Sequence, residues 1–343
     1  MESIQKKRVE WIDICKALTM LAMVFCHVDL EIPGSCKAVD QFVHYWHMPL
    51  FFVLSGVVFS TGKYCGWENF GKFFKSRVKS LIVPLLVFGV ICGVYNYFMF
   101  FSEKGYTWAN IFDSILHPNQ KIRIYSFQWF LMCLFITETA FTAIYNLVKG
   151  KTWAVVAICL AILFGGRWML LSTGVRLPLT LDSVIYAIPM FMMGVVLRDF
   201  FMNKRPLKHP VLQIVGLGLL IALFFWDPGK MNIRQCRYEP FWVYFVGMAA
   251  TALVIMLIRE QEHWITKLKV YPGIKWLGAN TLAILVLNGS VRKSLGLGAI
   301  KIDNVWVLAE IQFLLTIFVI VIIYLLTLLI KRYAPWMLGK SKK

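Results

Sequence analysis

The sequence predicts an all-α bundle of about ten transmembrane helices, with residues 1–343 forming a single integral-membrane domain and no soluble domain. Three observations predict it. The chain is 59% hydrophobic and only 16% charged, with a mean hydropathy of +0.67, whereas soluble domains carry roughly a quarter charged residues. Its apolar residues fall in long blocks, the cleanest being Leu81–Phe101 with 21 residues and no charge. A helix needs about 20 to cross a bilayer. The blocks also lack the alternating polarity that barrel strands require.

The blocks follow one another at 12–29, 42–60, 81–101, 126–148, 152–170, 181–198, 211–226, 241–258, 276–292 and 304–330. The first contains Asp13 and Lys16 and is not followed by a small-residue cleavage site. It therefore reads as a retained span rather than a secretory signal. The second opens on polar groups, "HYWHMPLFFVLSG" from His44 to Gly56. Pro49 is expected in its first turn, where a missing N–H is tolerated. A basic run, "KFFKSRVKSLIVP" from Lys72 to Pro84, leads into the third, and Glu138 interrupts the fourth. Gly165, Gly166 and Arg167 weaken the fifth, and the seventh is short.

Taking the loops alternately, the side holding the amino terminus carries 23 of the 36 Lys and Arg residues, and the other side 12. Basic residues favour the cytoplasm, so both termini are expected there. The net charge of +18 then reflects topology and contact with membrane lipids rather than nucleic-acid binding, because the cations are scattered among loops. Of eight cysteines, Cys36 and Cys236 both fall on the outer side, which leaves a disulfide between them open. There is no CxxC and no metal-ligand spacing.

Ionisable residues inside a bilayer are costly and mark partners or pathways. Lys16 and His27 are 11 residues apart, about three helical turns, so they share a face, with Asp13 within about 60° of it. The first two helices run in opposite directions, which brings His27 and His47 to one outer layer. Histidine suits general base work near neutral pH. Metal binding would need a third ligand, for which His44 is the sole candidate, and no metal is expected. Lys75, Arg77 and Lys79 suit phosphate binding or, alternatively, a simple positive-inside anchor.

Together these phrases resemble the acyltransferase-3 family of integral-membrane acyltransferases, in particular its sugar O-acetylase-like members. The family's acidic residue, basic residue three positions on and later His are matched by Asp13, Lys16 and His27. Its second-helix phrase is matched by "WHMPLFFVLSGV", and its basic third-helix phrase by "KSRVKSLIVP". "QWFLMCLF", "AIPMFMMGVVLR" and "WLGANTLAILVLN" resemble later phrases in the same order. Three positions depart from the pattern. Lys16 replaces the commoner Arg, Ser80 stands where a second Arg often follows Arg77, and Asn288 stands where many members have His.

The resemblance implies that no cofactor is tightly bound and that cytoplasmic acyl-CoA, commonly acetyl-CoA, is the donor. The acceptor would be a hydroxyl of a cell-envelope glycan or lipid-linked sugar outside a bacterial inner membrane. His27, His47, Lys16 and Asp13 would then be catalytic, and Arg77, Lys79 and Lys75 would grip CoA. Trp129, Glu138 and Asn288 are the candidates for contacting substrate. Trp129, with Trp168 and Trp306, also suits an interfacial aromatic belt, and Glu138 also suits a buried pairing with a cation. Arg167 and Asp182 suit interfacial salt bridges. Two other classes fit the same composition. One is a small-molecule or proton-coupled transporter, although the two halves of the chain show no repeat. The other is a non-catalytic relative acting as a receptor or assembly subunit.

Overall fold

The computed structural model describes residues 9–28, 35–104, 128–295 and 304–339, which form an all-α polytopic bundle. Helix α1 (Glu10–His27) is followed by α2 (Ser35–Val58), α3 (Thr61–Tyr64) and α4 (Trp67–Arg77). A π-helical turn, Val78–Ile82, joins α4 to α5 (Val83–Lys104). Next come α6 (Gln128–Leu147), α7 (Thr152–Thr173), α8 (Leu181–Val196), α9 (Arg198–Asn203) and α10 (Pro210–Trp226). An antiparallel hairpin, β1 (Lys230–Asn232) and β2 (Arg237–Glu239), separates α10 from α11 (Val243–Ile265). The chain continues through α12 (Tyr271–Ala279), α13 (Thr281–Ser294) and α14 (Val305–Tyr333).

Among the described residues, six helical runs are long and apolar enough to cross a membrane. The pair α12 and α13 passes only as a unit and bends by 87°. The stretch expected as one rod at 276–292 is therefore broken. Asn280 makes the break. Its backbone is non-helical, and its side-chain amide donates to the Trp276 carbonyl at 2.7 Å, satisfying a group that the ending helix leaves open. Helices α1 and α2, of 18 and 24 residues, lie outside these six runs.

Pro49 is not in a first turn. Helix α2 starts at Ser35, which makes Pro49 an interior residue. An interior proline cannot bond the carbonyl four residues back and crowds it. That carbonyl belongs to Tyr45, and Gly247 of α11 sits against it, so close that a Cβ there would lie 2.7 Å away. The next carbonyl, Trp46, accepts from the Thr251 hydroxyl at 3.4 Å. Pro189 likewise lies inside α8, and the Tyr186 carbonyl near it accepts from the Tyr244 hydroxyl at 2.8 Å. Tyr244 and Thr251 are seven residues apart on one face of α11. One helix thus supplies donors to both proline-containing helices, where no water is at hand to do so. The π turn has the same origin: Pro84 removes the bond to Ser80, which lies inside it.

Two glycines set the closest helix contact. A Cβ on Gly56 would strike the Phe191 carbonyl, and one on Gly194 the Val53 carbonyl. The backbones of α2 and α8 therefore touch, as small residues allow in membrane bundles. This makes α2 the central helix, with Leu50, Phe52, Val53 and Leu54 fully buried. Gly278 of α12 sits equally close to the backbone of Asp13 in α1. Large apolar side chains such as Ile214, Phe225, Leu314 and Phe318 are exposed on α10 and α14, the faces that suit lipid.

Candidate functional site

A cavity of about 300 Å³ opens where α1 ends and α2 begins. His27 reaches it from the last turn of α1, and His44 and His47 from α2. Trp129 and Phe130 line it from α6, and Asn288, Arg292 and Lys293 from α13. The hairpin contributes residues 232–235. Five stretches of chain, α1, α2, α6, the hairpin and α13, thus line it.

Each histidine is oriented by its own helix. Nδ1 of His27 lies 2.8 Å from the Met23 carbonyl, Nδ1 of His44 2.7 Å from Asp40, and Nδ1 of His47 2.7 Å from Val43. A carbonyl only accepts, so in each case Nδ1 carries the proton and donates it. In a neutral ring the Nε2 lone pair is then the basic one. The rings of His44 and His47 meet edge-on at 4.9 Å, and His47 is buried. Asp40 lies 3.5 Å from Nδ1 of His44 at the more open side.

Asn288 is buried beside them. Its amide N–H faces the Met23 sulfur at 3.4 Å, and its Oδ1 has no hydrogen-bond partner. The bend at Asn280 aims α13 across the bundle, and that aim brings Asn288 into the cavity wall. Cys92 and Tyr95 of α5 brace the same helix through Ser290 at 3.2 Å and Ser294 at 2.5 Å.

The hairpin is held firmly. Tyr45 donates to the Gly229 carbonyl at 2.6 Å, and Gln41 donates to the same carbonyl at 2.9 Å. Both side chains also bond Asp227. Met231 tucks against Gly247, and Tyr238 stacks on Tyr186 at 4.4 Å. Arg176 bridges the Asp182 carboxylate, at 3.2 Å, and the Gln235 carbonyl, at 2.7 Å. Asp182 thus pairs with Arg176, while Arg167 stacks over Phe241 at 4.2 Å.

The structure gathers His27, His47, Trp129 and Asn288 around one cavity and places the other sequence candidates elsewhere. Lys16 and Asp13 precede His27 by about three and four turns of α1, about 16–21 Å along its axis. Asp13 is buried against α12, and Lys16 is half-buried. Arg77 forms an ion pair with Glu138 at 2.7 Å, set by proximity and not by an in-line hydrogen bond. Its guanidinium also lies 5.4 Å and 5.5 Å from the Tyr64 and Phe73 rings. Those rings pack on Phe59, just past the far end of α2, about 18 Å from His47 along the helix. Lys75 and Lys79 are exposed near Arg77. Trp129 is buried in the cavity wall and Trp168 is largely exposed, while the Trp306 side chain lies outside the described residues. So does that of Cys36, whose pairing with Cys236 is therefore not described; the Cys236 sulfur sits 3.8 Å from the Ser183 hydroxyl. Among the described residues no three His, Cys, Asp or Glu side chains converge to hold a metal.

Asn232–Gln235, Arg292 and Lys293 are wall residues that sequence reasoning counted only as loop or outer-side residues. Their signal was the turn chemistry of Pro228 and Gly229 and the cations clustered beyond it. The arrangement offers imidazoles whose Nδ1 is bonded to the backbone, a buried oxygen acceptor and room for a small polar molecule.

The model of the acyltransferase-3 family, described as an acyltransferase domain, matches residues 9–332. No curated protein and no solved structure matches the chain. A family match over essentially the whole chain, joined to a polytopic bundle whose motif histidines share one cavity, places this protein in the acyltransferase-3 family of membrane acyltransferases.

Proposed function

We propose that the protein moves an acetyl group from cytoplasmic acetyl-CoA to a hydroxyl of a cell-envelope glycan or lipid-linked sugar. The convergence of His27 and His47 on one cavity supports this reading most directly. In this reading the bundle lies in a bacterial inner membrane with both termini in the cytoplasm, and the cavity faces outward. The acceptor hydroxyl binds beside the imidazoles. Nε2 of His27 takes its proton as the oxygen attacks the thioester carbonyl. The C–S bond breaks, and the proton passes to the departing CoA thiolate. The neighbouring His47 orients the acceptor or donates toward the developing oxyanion. Lys75 and Lys79 attract the CoA phosphates at the opposite end, where Glu138 fixes Arg77 among them. Lys16 and Asp13 lie along the path that the pantetheine arm would take through the bundle.

The deciding experiment incubates purified protein with radiolabelled acetyl-CoA and simple glycosides. Transfer of label to a sugar hydroxyl is expected. A protein that binds acetyl-CoA yet neither transfers nor hydrolyses it would overturn the enzymatic reading.

A further inference from the structure

The π turn before α5 is short of hydrogen bonds, and a distant part of the chain covers the place where they are missing. Within the turn, the Val83 N–H reaches five residues back to the Val78 carbonyl. The next donor along would be residue 84, which is Pro84 and carries no N–H. The Lys79 carbonyl therefore has no donor from its own helix four or five residues ahead, because Val83 already bonds Val78 and Pro84 lacks the group. A backbone carbonyl left open in this way weakens a turn unless another segment covers it.

Gly339 covers it. Pro335 cannot continue α14, so the chain leaves the helix at Ala334 and forms a short 3-10 turn, Pro335–Leu338. The Met337 N–H donates to the Ala334 carbonyl at 3.1 Å, and the Gly339 N–H to the Trp336 carbonyl at 2.9 Å. Leu338 is buried, and Met337 packs against the same core. This anchorage sets Gly339 on the π turn. Its φ of +68° is left-handed backbone, which glycine adopts without strain. A Cβ there would lie 2.7 Å from the Lys79 carbonyl oxygen and 3.1 Å from the Ser80 Cα. Conformation and room thus both call for glycine at this position.

The register of the turn decides where its cations point. A π turn holds about one residue more than an α turn, and such turns recur at functional sites. Relaxing it to α geometry would rotate α4 relative to α5 by about 100°. It would also redirect Lys79, which stands inside the turn and is exposed. The Arg77–Glu138 pair ties the upstream side to α6, and Gly339 meets the middle.

We propose that the Pro335–Gly339 turn is a clamp that keeps the π turn in register and so aims Lys79 at the phosphates of the acyl donor. Gly339 is then a positioning residue for donor binding, acting through Lys79 and touching no substrate itself. The proposal rests on the reading of Lys79 as a phosphate ligand.

The test uses the full chain in detergent as wild type, Gly339→Ala, Lys79→Ala and the double variant. Acetyl-CoA is titrated in the transfer assay, and CoA in a thermal-shift assay that needs no turnover. Gly339→Ala is expected to raise the acetyl-CoA KM and weaken CoA binding about tenfold, the scale of one hydrogen bond to a charged group. Its kcat at saturating donor should stay near wild type. In the Lys79→Ala background the same substitution should change neither KM nor binding. Amide hydrogen exchange across residues 78–83 should be faster in Gly339→Ala. If Lys79→Ala weakens CoA binding and Gly339→Ala does not, the clamp falls and the donor reading stands. Fully additive losses in the double variant overturn the clamp too, because Gly339 would then act independently of Lys79. So does unchanged exchange across the π turn. No CoA binding by wild type, or Lys79→Ala without effect on it, removes the donor reading and the clamp together. Leu338→Ala withdraws the anchor without a clash and is read in the same way should Gly339→Ala fail to fold.

Discussion

Glu138 of α6 and Arg77 of α4 are 61 residues apart in sequence and 2.7 Å apart in the bundle. Glu138 is almost fully buried, and Arg77 is mostly so. The most arginine-like phosphate ligand in the basic run therefore already has a protein anion beside it. Removing one partner of a buried pair strands the other charge and costs roughly 3–5 kcal/mol. Arg77→Ala should consequently lower the melting temperature in detergent sharply, and Arg77→Ala with Glu138→Gln should recover much of it. Additive losses in the double variant would show that the two side chains do not act as a pair.

The exposed neighbours should behave differently. Lys75→Ala with Lys79→Ala removes cations that have little burial. Stability should stay within about 0.5 kcal/mol, as for ordinary surface changes. The KM for acetyl-CoA should rise while kcat at saturating donor holds, the signature of lost uniform binding. An unchanged donor KM would return these lysines to a purely topological role.

His27→Ala should reduce transfer by about 10²–10⁴-fold while leaving the melting temperature near wild type, because base catalysis contributes on that scale. The ring is half-buried at the end of α1, so little packing depends on it. A residual rate above about a tenth of wild type would exclude a base role. His47→Gln should weaken transfer to the acceptor and leave acetyl-CoA binding intact, because His47 lines the cavity about 18 Å along α2 from the basic end. Parallel losses in both binding steps would count against that separation.

Asn288→Leu keeps the size of the side chain and removes the oxygen. The acceptor KM should rise by roughly tenfold, the worth of one hydrogen bond of about 1–1.5 kcal/mol. Stability should hold or improve, since an unpartnered buried acceptor disappears. A loss of stability with no change in acceptor KM would make Asn288 a packing residue.

Gly194→Ala places a Cβ against the Val53 carbonyl, where neither backbone has room to yield. Overpacking costs about 1–3 kcal/mol when side chains can adjust, and here the contact is backbone on backbone. Melting in detergent should fall by at least that much, and Gly218→Ala, whose Cβ would meet nothing within 4 Å, should be silent. Equal effects at the two positions would remove the α2–α8 seam as a determinant of the fold.

The sequence by itself determined the all-α polytopic class and the chemistry-bearing phrases. A bilayer leaves no backbone group unsatisfied, so a long apolar block has to be a helix. The spacing of Asp13, Lys16 and His27 showed a polar stripe, and opposite running directions brought His27 to His47. Tertiary structure decided which polar groups meet. Lys16 and His27 share a face, yet only His27 reaches the cavity, because the cavity lies at the end of α1 and Lys16 stands about 16 Å back along the axis. Glu138 finds Arg77 because α6 and α4 pack, and no local pattern encodes that pairing. Pro49 reads as an entry-turn residue in sequence. Its interior position works because Gly247 and Thr251, some 200 residues later, accommodate the carbonyls it disturbs. Arg234 and Arg292 read as loop charges until the hairpin folds over the bundle and Asn280 bends α13 into the cavity wall. Periodicity fixes the face of a helix. Which face meets which is set by close packing between distant segments, and glycines, prolines and single hydrogen bonds decide it.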